Sequence, residues 1–443
     1  RRWIRKHRKK IMSTEKLYEI FLSSEGICTD SRKLFKGCLF FALKGENFDG
    51  NAYAAEALEK GAVAAVVSAG SGPGMIVVED TLVALKELAA WHRAHVGGTG
   101  RLPVVGLTGT NGKTTTKELV RTALAAGLKV SATEGNLNNE IGVPLSVLAI
   151  KPGTEVAVIE MGASHPDDLK PLLAVSDPDF GLITNVGKAH LEGFGSFEGV
   201  KRAKGLLYDH LAAKGGTVLL NGDDPILSEM AAQRGLKPVL YGVKTQGCTV
   251  LAPSPEHPYL RIDKGGRIIH THLVGSYNAP NVLAAIATAV LFGVPEEDAI
   301  KAIEAYVPSN NRSEMARTAR NTVIEDFYNA NPSSMAAALE NFASVEAPKK
   351  SVLLGDMREL GPDSVQEHIA VVKRLMGMTL SGVFLVGEEF GKAMGEIDVP
   401  ASWCWFKTSD GLADYLSGNP IDGEVLLVKG SRGIRMEKVL PQL

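Results

Sequence analysis

What this chain of 443 residues has little of narrows the field first. Only four cysteines occur, Cys28, Cys38, Cys248 and Cys404, and no two stand in a CxxC spacing. That excludes a disulfide framework and a clustered zinc site, and it leads us to expect reduced thiols in a cytoplasmic protein. Charge of either sign is not in excess: 48 Lys and Arg against 50 Asp and Glu leave −2. No global field therefore draws the chain to nucleic acid, and no nucleic-acid partner is expected. No apolar run approaches the ~18 residues of a transmembrane helix. Internal repeats and low-complexity segments are missing too.

The one block of like charge opens the chain, Arg1-Arg2-Trp3-Ile4-Arg5-Lys6-His7-Arg8-Lys9-Lys10. A signal peptide would need an apolar stretch after it, and the polar Ser13-Thr14-Glu15-Lys16 stands there instead. Residues 1–11 are expected to be a disordered extension ahead of a start at Met12.

What is present is ordinary in bulk and specific in detail. Hydrophobic content of 45% and charged content of 22% fit a globular protein with a large core. The length is enough for roughly two to four domains. Short apolar runs at 37–45, 62–67 and 75–78 read as buried strands of a small α/β unit, with a helix at 54–60. A helix at 82–96 leads to strands at 104–108, 156–160, 180–186 and 217–221. Strands alternating with helices predict a mostly parallel sheet covered on both faces. Residues 239–273 read as a small antiparallel insert, and 281–291 as an alanine-rich helix. Beyond residue 310 the pattern restarts, with strands at 322–326, 351–355, 383–387 and 424–428 and helices between them. The boundaries expected are 12–82, 83–309 and 310–443.

The chemistry centres on Val104-Val105-Gly106-Leu107-Thr108-Gly109-Thr110-Asn111-Gly112-Lys113-Thr114-Thr115-Thr116. A strand enters a glycine-rich turn that ends in Gly-Lys-Thr, and a helix follows. Backbone N–H groups of such a turn and the helix N-terminus favour an anion. Lys113 would reach the outer phosphates, and the Thr114 hydroxyl would ligate Mg²⁺. The strict pattern asks for glycine at 107, where Leu107 stands, so the match is to a shorter form, Gly109-x-x-Gly112-Lys113-Thr114. Ligands of open α/β sheets sit beyond the carboxyl ends of strands. Glu160 ends one such strand and His190 follows another, so with Thr114 they could build an Mg²⁺ site. Alone, Glu160 would be a strand-end carboxylate, His190 a surface imidazole and Lys204 a solvated basic face. Asn278 and Asn281 open a helix three residues apart, so their amides meet on one face. They suit an adenine edge, or simple capping.

Thr108–Thr115, Glu160, His190, Ala203-Lys204 and Tyr277-Asn278-x-x-Asn281 together resemble the Mur ligase family of peptidoglycan synthesis. These are ATP-dependent amide-bond ligases of three domains. Tyr328-Asn329-Ala330-Asn331-Pro332, Gly355-Asp356-Met357-Arg358-Glu359-Leu360-Gly361, Asn136 to Pro144 and Val428-Lys429-Gly430-Ser431-Arg432 resemble the branch that adds D-alanyl-D-alanine. The fold implied is α/β with three domains: a small N-terminal α/β UDP-sugar domain, a central P-loop-type, mostly parallel sheet domain, and a C-terminal Rossmann-like domain. The reaction implied joins D-alanyl-D-alanine to UDP-N-acetylmuramoyl-tripeptide through an acyl phosphate, releasing ADP and phosphate, in a monomer.

Residue by residue, the resemblance implies the following. Gly109, Thr110, Asn111, Gly112, Lys113, Thr114 and Thr115 hold ATP phosphate. Thr114, Glu160, His190 and Lys204 hold Mg²⁺ at two sites, Lys204 as a carbamylated lysine. Asn278 and Asn281 lie at the adenine, and Arg312 and Asp326 reach ATP from the C-terminal domain. Lys113, Lys204, His190 and Glu160 carry the catalysis. Ser31, Arg32, Lys44, Gly45, Asp49, Asn138, Asn139, Tyr328, Asn329, Asn331, Ser431 and Arg432 are the substrate residues. The chain departs from the family pattern at Leu206, where Glu is usual, and at Glu325, where the first of a paired Asp is usual. Two rivals stay open: a related ligase adding a single amino acid, such as the tripeptide synthetase, and a nucleotide-binding protein without ligation.

Overall fold

The computed structural model describes residues 12–98, 100–254, 256–308 and 314–443. The expected extension 1–11 and Arg312 lie outside the described residues. The chain divides into two compact units, one made of residues up to 107 with 129–162 and 168–181, the other of 108–128, 163–167 and 182–443.

The first unit holds a four-stranded parallel sheet, β1 (Gly26–Cys28), β2 (Cys38–Phe41), β3 (Ala64–Val67) and β4 (Met75–Val77), in that spatial order. Every residue of β2 and β3 is buried. That is why these strands are continuous apolar runs rather than alternating ones. Ala54 and Ala57 of the helix Ala54–Glu59 pack on Phe40, Ala65 and Val67, and their small size lets the helix come close. The helix Thr81–His95 starts where the Asp80 carboxylate accepts the N–H groups of Leu82 and Val83 at 2.8 and 2.9 Å. Such a cap stabilises by about 1 kcal/mol. It leads to β5 (Val104–Thr108), β6 (Val130–Ala132) and β7 (Val156–Glu160), parallel, with β7 between the other two.

After its earlier passages at 108–128 and 163–167, the chain returns to the second unit within β8 (Phe180–Ile183) and continues through β9 (Thr217–Asn221) and β10 (Val239–Tyr241), with β9 and β10 parallel. Residues 239–241 thus extend a parallel sheet and do not belong to the antiparallel insert expected there. The helix Pro225–Ala232 crosses over between β9 and β10, and a helical crossover returns the chain parallel. The insert proper is β11 (Cys248–Leu251), β12 (Arg261–Lys264) and β13 (Arg267–His270). Gly265 and Gly266, both with positive φ, turn β12 into β13 as a tight hairpin requires.

The C-terminal part of this unit is a six-stranded sheet. Its strands are β14 (Glu314–Arg317), β15 (Thr322–Asp326), β16 (Lys350–Gly355), β17 (Gly382–Val386), β18 (Cys404–Phe406) and β19 (Val425–Lys429). The spatial order is β14-β15-β19-β16-β17-β18, antiparallel only at β14. Period-two alternation sends Ile324, Val352, Leu354 and Leu427 into one core and Val323, Leu353, Leu426 and Val428 into the other. Both faces are therefore covered, as the α/β reading requires. Strands β1, β6, β14 and β18 were not foreseen. All four are partly buried sheet edges of three or four residues; glycine, serine or charge breaks the apolar pattern in β1, β6 and β14, whereas β18 is the apolar Cys404-Trp405-Phe406 and was overlooked.

Candidate functional site

The glycine-rich turn closes as its residues dictate. Gly109 has φ 147, and a Cβ there would run into Thr184. Gly112 has φ 75 and stands as the N-cap of the helix Lys113–Leu124 without any side-chain cap bond. The first N–H groups of a helix have no partner within the helix itself. Thr114 is buried and Thr115 half-buried. Lys113 Nζ donates to the carbonyls of Gly109 and Thr110 at 2.8 and 3.0 Å, arching over the turn. Residues after β8 hold the turn from outside. Thr110 N–H donates to Asn185 O at 3.0 Å and Asn111 N–H to Asn185 Oδ1 at 3.0 Å. Thr184 Oγ1 and Asn185 Nδ2 donate to Asn111 O at 2.6 and 3.0 Å. Two of the turn's N–H groups are thus spent on Asn185. The residues 184 and 185 were missed by sequence reasoning, although a polar pair directly after a buried strand was the available signal.

Asn278 and Asn281 meet as their spacing predicts: Asn281 Nδ2 donates to Asn278 Oδ1 at 2.9 Å, and Asn278 Nδ2 to Val274 O at 2.9 Å. Asn278 makes no side-chain cap bond to the helix Ala279–Leu291, so plain capping does not explain the pair. A Cβ on Gly112 would come within 3.1 Å of the Asn281 amide, which makes that amide the backing of the turn.

His190 sits in left-handed backbone at φ 51, and its Nδ1 meets Glu359 Oε2, whose residue is also left-handed at φ 62. Burial pushes the imidazole below its ordinary range, with Lys113 and Lys204 adding to the shift against the pull of Glu359. The neutral ring is the form that binds metal. Lys204 lies inside the helix Phe197–Lys214 at 2% exposure, which overturns the reading of a solvated basic face. Its Nζ donates to Ala163 O at 3.2 Å and stands 5.6 Å over the Phe194 ring. Among the described residues no group of three or more His, Cys, Asp or Glu is arranged to hold a metal by itself.

In the first unit, Glu160 is fully buried at the end of β7 and accepts from Asn138 Nδ2 at 2.8 Å. A Cβ on Gly162 would strike that Asn138 side chain at 2.9 Å. Asn139 Oδ1 accepts from Gly142 N–H at 2.8 Å. Ser31 opens the 3₁₀ turn Ser31–Lys33, and exposed Arg32 pairs with Asp30 at 2.8 Å. The hydrogen bonds from Arg32 hold the Asp30 carboxyl down to about 2. Lys44 and Asp49 bridge across the loop that carries Gly45, and Asp49 accepts from Asn51 N–H at 2.9 Å.

At the carboxyl edge of the C-terminal sheet, Asp326 pairs with buried Lys429 at 2.7 Å. Lys429, quoted above only within its motif, is the cation that fixes Asp326. Arg432 stands 5.6 Å over the Tyr328 ring. Asn329 Oδ1 accepts from Ala330 N–H at 2.9 Å. Ser431 is buried, accepts from Arg358 N–H at 3.0 Å and donates to Ala330 O at 3.2 Å. Asn331 caps the helix Pro332–Ser344 in a reciprocal box with Ser334.

Three family models match in chain order: the Mur ligase family catalytic domain over residues 24–92, the Mur ligase middle domain over 107–289, and the Mur ligase glutamate ligase domain over 311–432. The UDP-N-acetylmuramoyl-tripeptide–D-alanyl-D-alanine ligase of Bacillus subtilis is 34% identical over 438 residues, 94% of this chain and 93% of its own length. This chain belongs to the Mur ligase family. The ligase of the same name from Escherichia coli is 34% identical over 436 residues, covering 95% of this chain and 94% of its own. Among solved structures of the Mur ligase family, MurF from Acinetobacter baumannii superposes with a TM-score of 0.83 at 29% identity, over 97% of this chain and 98% of that one. MurF ligase from Thermotoga maritima in complex with ADP gives 0.82 at 27% identity, over 95% and 97%. No helix among the described residues is long and apolar enough to cross a membrane.

Proposed function

We propose that this Mur ligase joins D-alanyl-D-alanine to UDP-N-acetylmuramoyl-tripeptide at the expense of ATP, in the cytoplasm, with the domain boundaries 12–82, 83–309 and 310–443. The observation that carries the reading is the phosphate turn joined in one unit to the Tyr328–Pro332 signature, along a chain that matches relatives of that activity over nearly its whole length. The chemical logic is general. A carboxylate is a poor acyl donor, so ATP phosphorylates it first, and the dipeptide amine then displaces phosphate. Two anions must be held against each other, and fixed positive charge offsets their repulsion.

Lys113 supplies that charge, and the N–H groups at the start of the helix Lys113–Leu124 bind phosphate oxygens. Asn278 and Asn281 border the adenine, and Asp326 and Arg312 complete the nucleotide site. Ser31, Arg32, Lys44, Gly45 and Asp49 take the UDP-sugar, Asn138 and Asn139 the peptide, and Tyr328, Asn329 and Arg432 the dipeptide. By donor type, the Thr114 hydroxyl, the neutral His190 imidazole and the Glu160 carboxylate are groups that would suit Mg²⁺ ligation, phosphate and water completing the shell. An ammonium is no metal ligand, so Lys204 fits a second ion only as its carbamate, and its burial protects such a group. Bound Mg²⁺ would stabilise charge developing on the transferred phosphoryl group.

The test is phosphate release from ATP and UDP-N-acetylmuramoyl-tripeptide with D-alanyl-D-alanine or with single amino acids as acceptor. Release with the dipeptide alone is expected. Release with a single amino acid alone would replace this reading by that of a related ligase, and the failure of every acceptor to release phosphate would remove ligation altogether.

A further inference from the structure

We infer that Asn111 and Asn331 are a coupling pair: positioning residues that tie the phosphate turn to the C-terminal signature segment. The inference rests on the proposed ligation for its kinetic readout only. Asn331 Oδ1 accepts the Ser334 N–H at 2.9 Å as helix cap, which fixes the orientation of its amide. Its Nδ2 therefore has one direction left, and it donates to Asn111 Oδ1 at 2.7 Å. Asn111 Nδ2 returns toward Asn331 Oδ1 at 3.3 Å. The two residues stand 220 positions apart in the chain.

Asn111 is anchored through its backbone. Its N–H is held by Asn185 and its carbonyl by Thr184 and Asn185, so the side chain is the only part that leaves the turn. A second strand of the same network runs alongside. Lys188 N–H donates to Ser333 Oγ at 3.0 Å, and a Cβ on Gly187 would sit 2.7 Å from that oxygen. Gly187 N–H in turn donates to Thr110 Oγ1 at 2.9 Å. The turn, the segment after β8 and the start of the helix Pro332–Ser344 thus share one hydrogen-bond network, partly buried at the contact of Asn111 with Asn331 and exposed at Lys188. Closely held amide networks of this kind transmit position, because a shift at one member breaks bonds at the next. Occupation of the turn by phosphate then sets where Tyr328 and Asn329, immediately before the cap, present themselves.

The variants separate coupling from capping. Asn331→Ser keeps a neutral N-cap, since serine caps as well as asparagine, but its hydroxyl is too short to reach Asn111. Asn111→Ala removes the partner and leaves the backbone bonds of the turn. Each single variant is expected to lower kcat about tenfold with KM for ATP within about twofold, and the double variant to be no slower than the slower single. Asn331→Ser should melt within a few degrees of the parent. Wild-type kcat in either single variant, or losses that multiply in the double, would overturn the pairing. A second measurement stands whatever the reaction is: with ADP bound, Asn111→Ala should raise hydrogen exchange at residues 330–335, and unchanged exchange there would overturn the proposal too. Wild-type protein run in the same ligation assay tells a failed pairing from a wrong reaction, because only the latter abolishes the parent's turnover.

Discussion

Two strand-to-helix passages in this molecule start from the same physics and end differently. After β5, the turn at 109–112 delivers the chain to the helix Lys113–Leu124, whose N-cap Gly112 has no side chain to offer a cap bond. In the C-terminal sheet, the helix Glu388–Gly395 likewise begins at a glycine, Gly387, with φ 119. There, however, Asp356 from the end of β16 accepts the N–H groups of Glu389 and Phe390 at 3.0 and 2.9 Å. A Cβ on Gly387 would strike that carboxylate, so the glycine exists to admit it. Both helix ends attract an anion. One has its carboxylate supplied from the end of a neighbouring strand; the other follows a glycine-rich turn that ends in Gly112-Lys113-Thr114.

The largest effect expected belongs to the first passage. Lys113→Ala should lower turnover about a hundredfold or more, roughly 2.7–4 kcal/mol of transition-state stabilisation, as for loss of one electrostatic donor. Near-normal ligation by that variant with ATP saturating would mean that the first passage is as purely structural as the second. A smaller loss, about 10–100-fold, is expected of Lys204→Ala. Short carboxylic acids should partly restore it by standing in for the carbamate. Full activity of Lys204→Ala would remove Lys204 from the site and leave its burial a matter of packing alone.

The same contrast explains what was legible in the sequence. The phosphate turn is local: strand, glycines, Lys-Thr and helix lie within thirteen consecutive residues, and every one of them could be read in order. Asn278 and Asn281 were legible for the same reason, since their meeting needs only helical spacing. The parallel sheets could be read from continuous apolar runs, but the edge strands β1, β6 and β14 could not, because a strand paired on one side and half-exposed needs no such run. Lys204 was misread when taken alone, because a lysine between Arg202 and Gly205 carries no local sign of burial. The partners of Asp326, Asn331 and His190 are Lys429, Asn111 and Glu359, each more than a hundred residues away. Such pairings are set by the fold of two sheets and leave no periodicity behind. The resemblance to a family supplied those residues as a set; only the structure supplies who holds whom.

The smallest effect expected belongs to the capped passage, and it shows in stability rather than in catalysis. His368 is fully buried beside Asp356. Its Nε2 accepts the Met357 N–H at 3.0 Å, and its Nδ1 faces Ser364 O at 2.7 Å, so the ring is neutral with its proton on Nδ1. Burial pushes its pKa below the ordinary 6.5, against the pull of Asp356 and the other nearby carboxylates. A lowered folded-state value means that the unfolded chain binds the proton first. The stabilisation is complete above about pH 6.5 and is lost as the pH falls through the folded value, by at most about 1.4 kcal/mol per pH unit for one proton. Burial shifts Asp356 upward, which acts in the opposite sense. His92 in the first unit is shifted down by burial as well and adds its own slope. His368→Gln, whose amide oxygen can still accept the Met357 N–H, should flatten the fall in urea-measured stability between pH 6.5 and 5 by the share of one residue. An unchanged slope in that variant would place the whole acid sensitivity elsewhere, and the capped loop would then be stable with its histidine in either charge state.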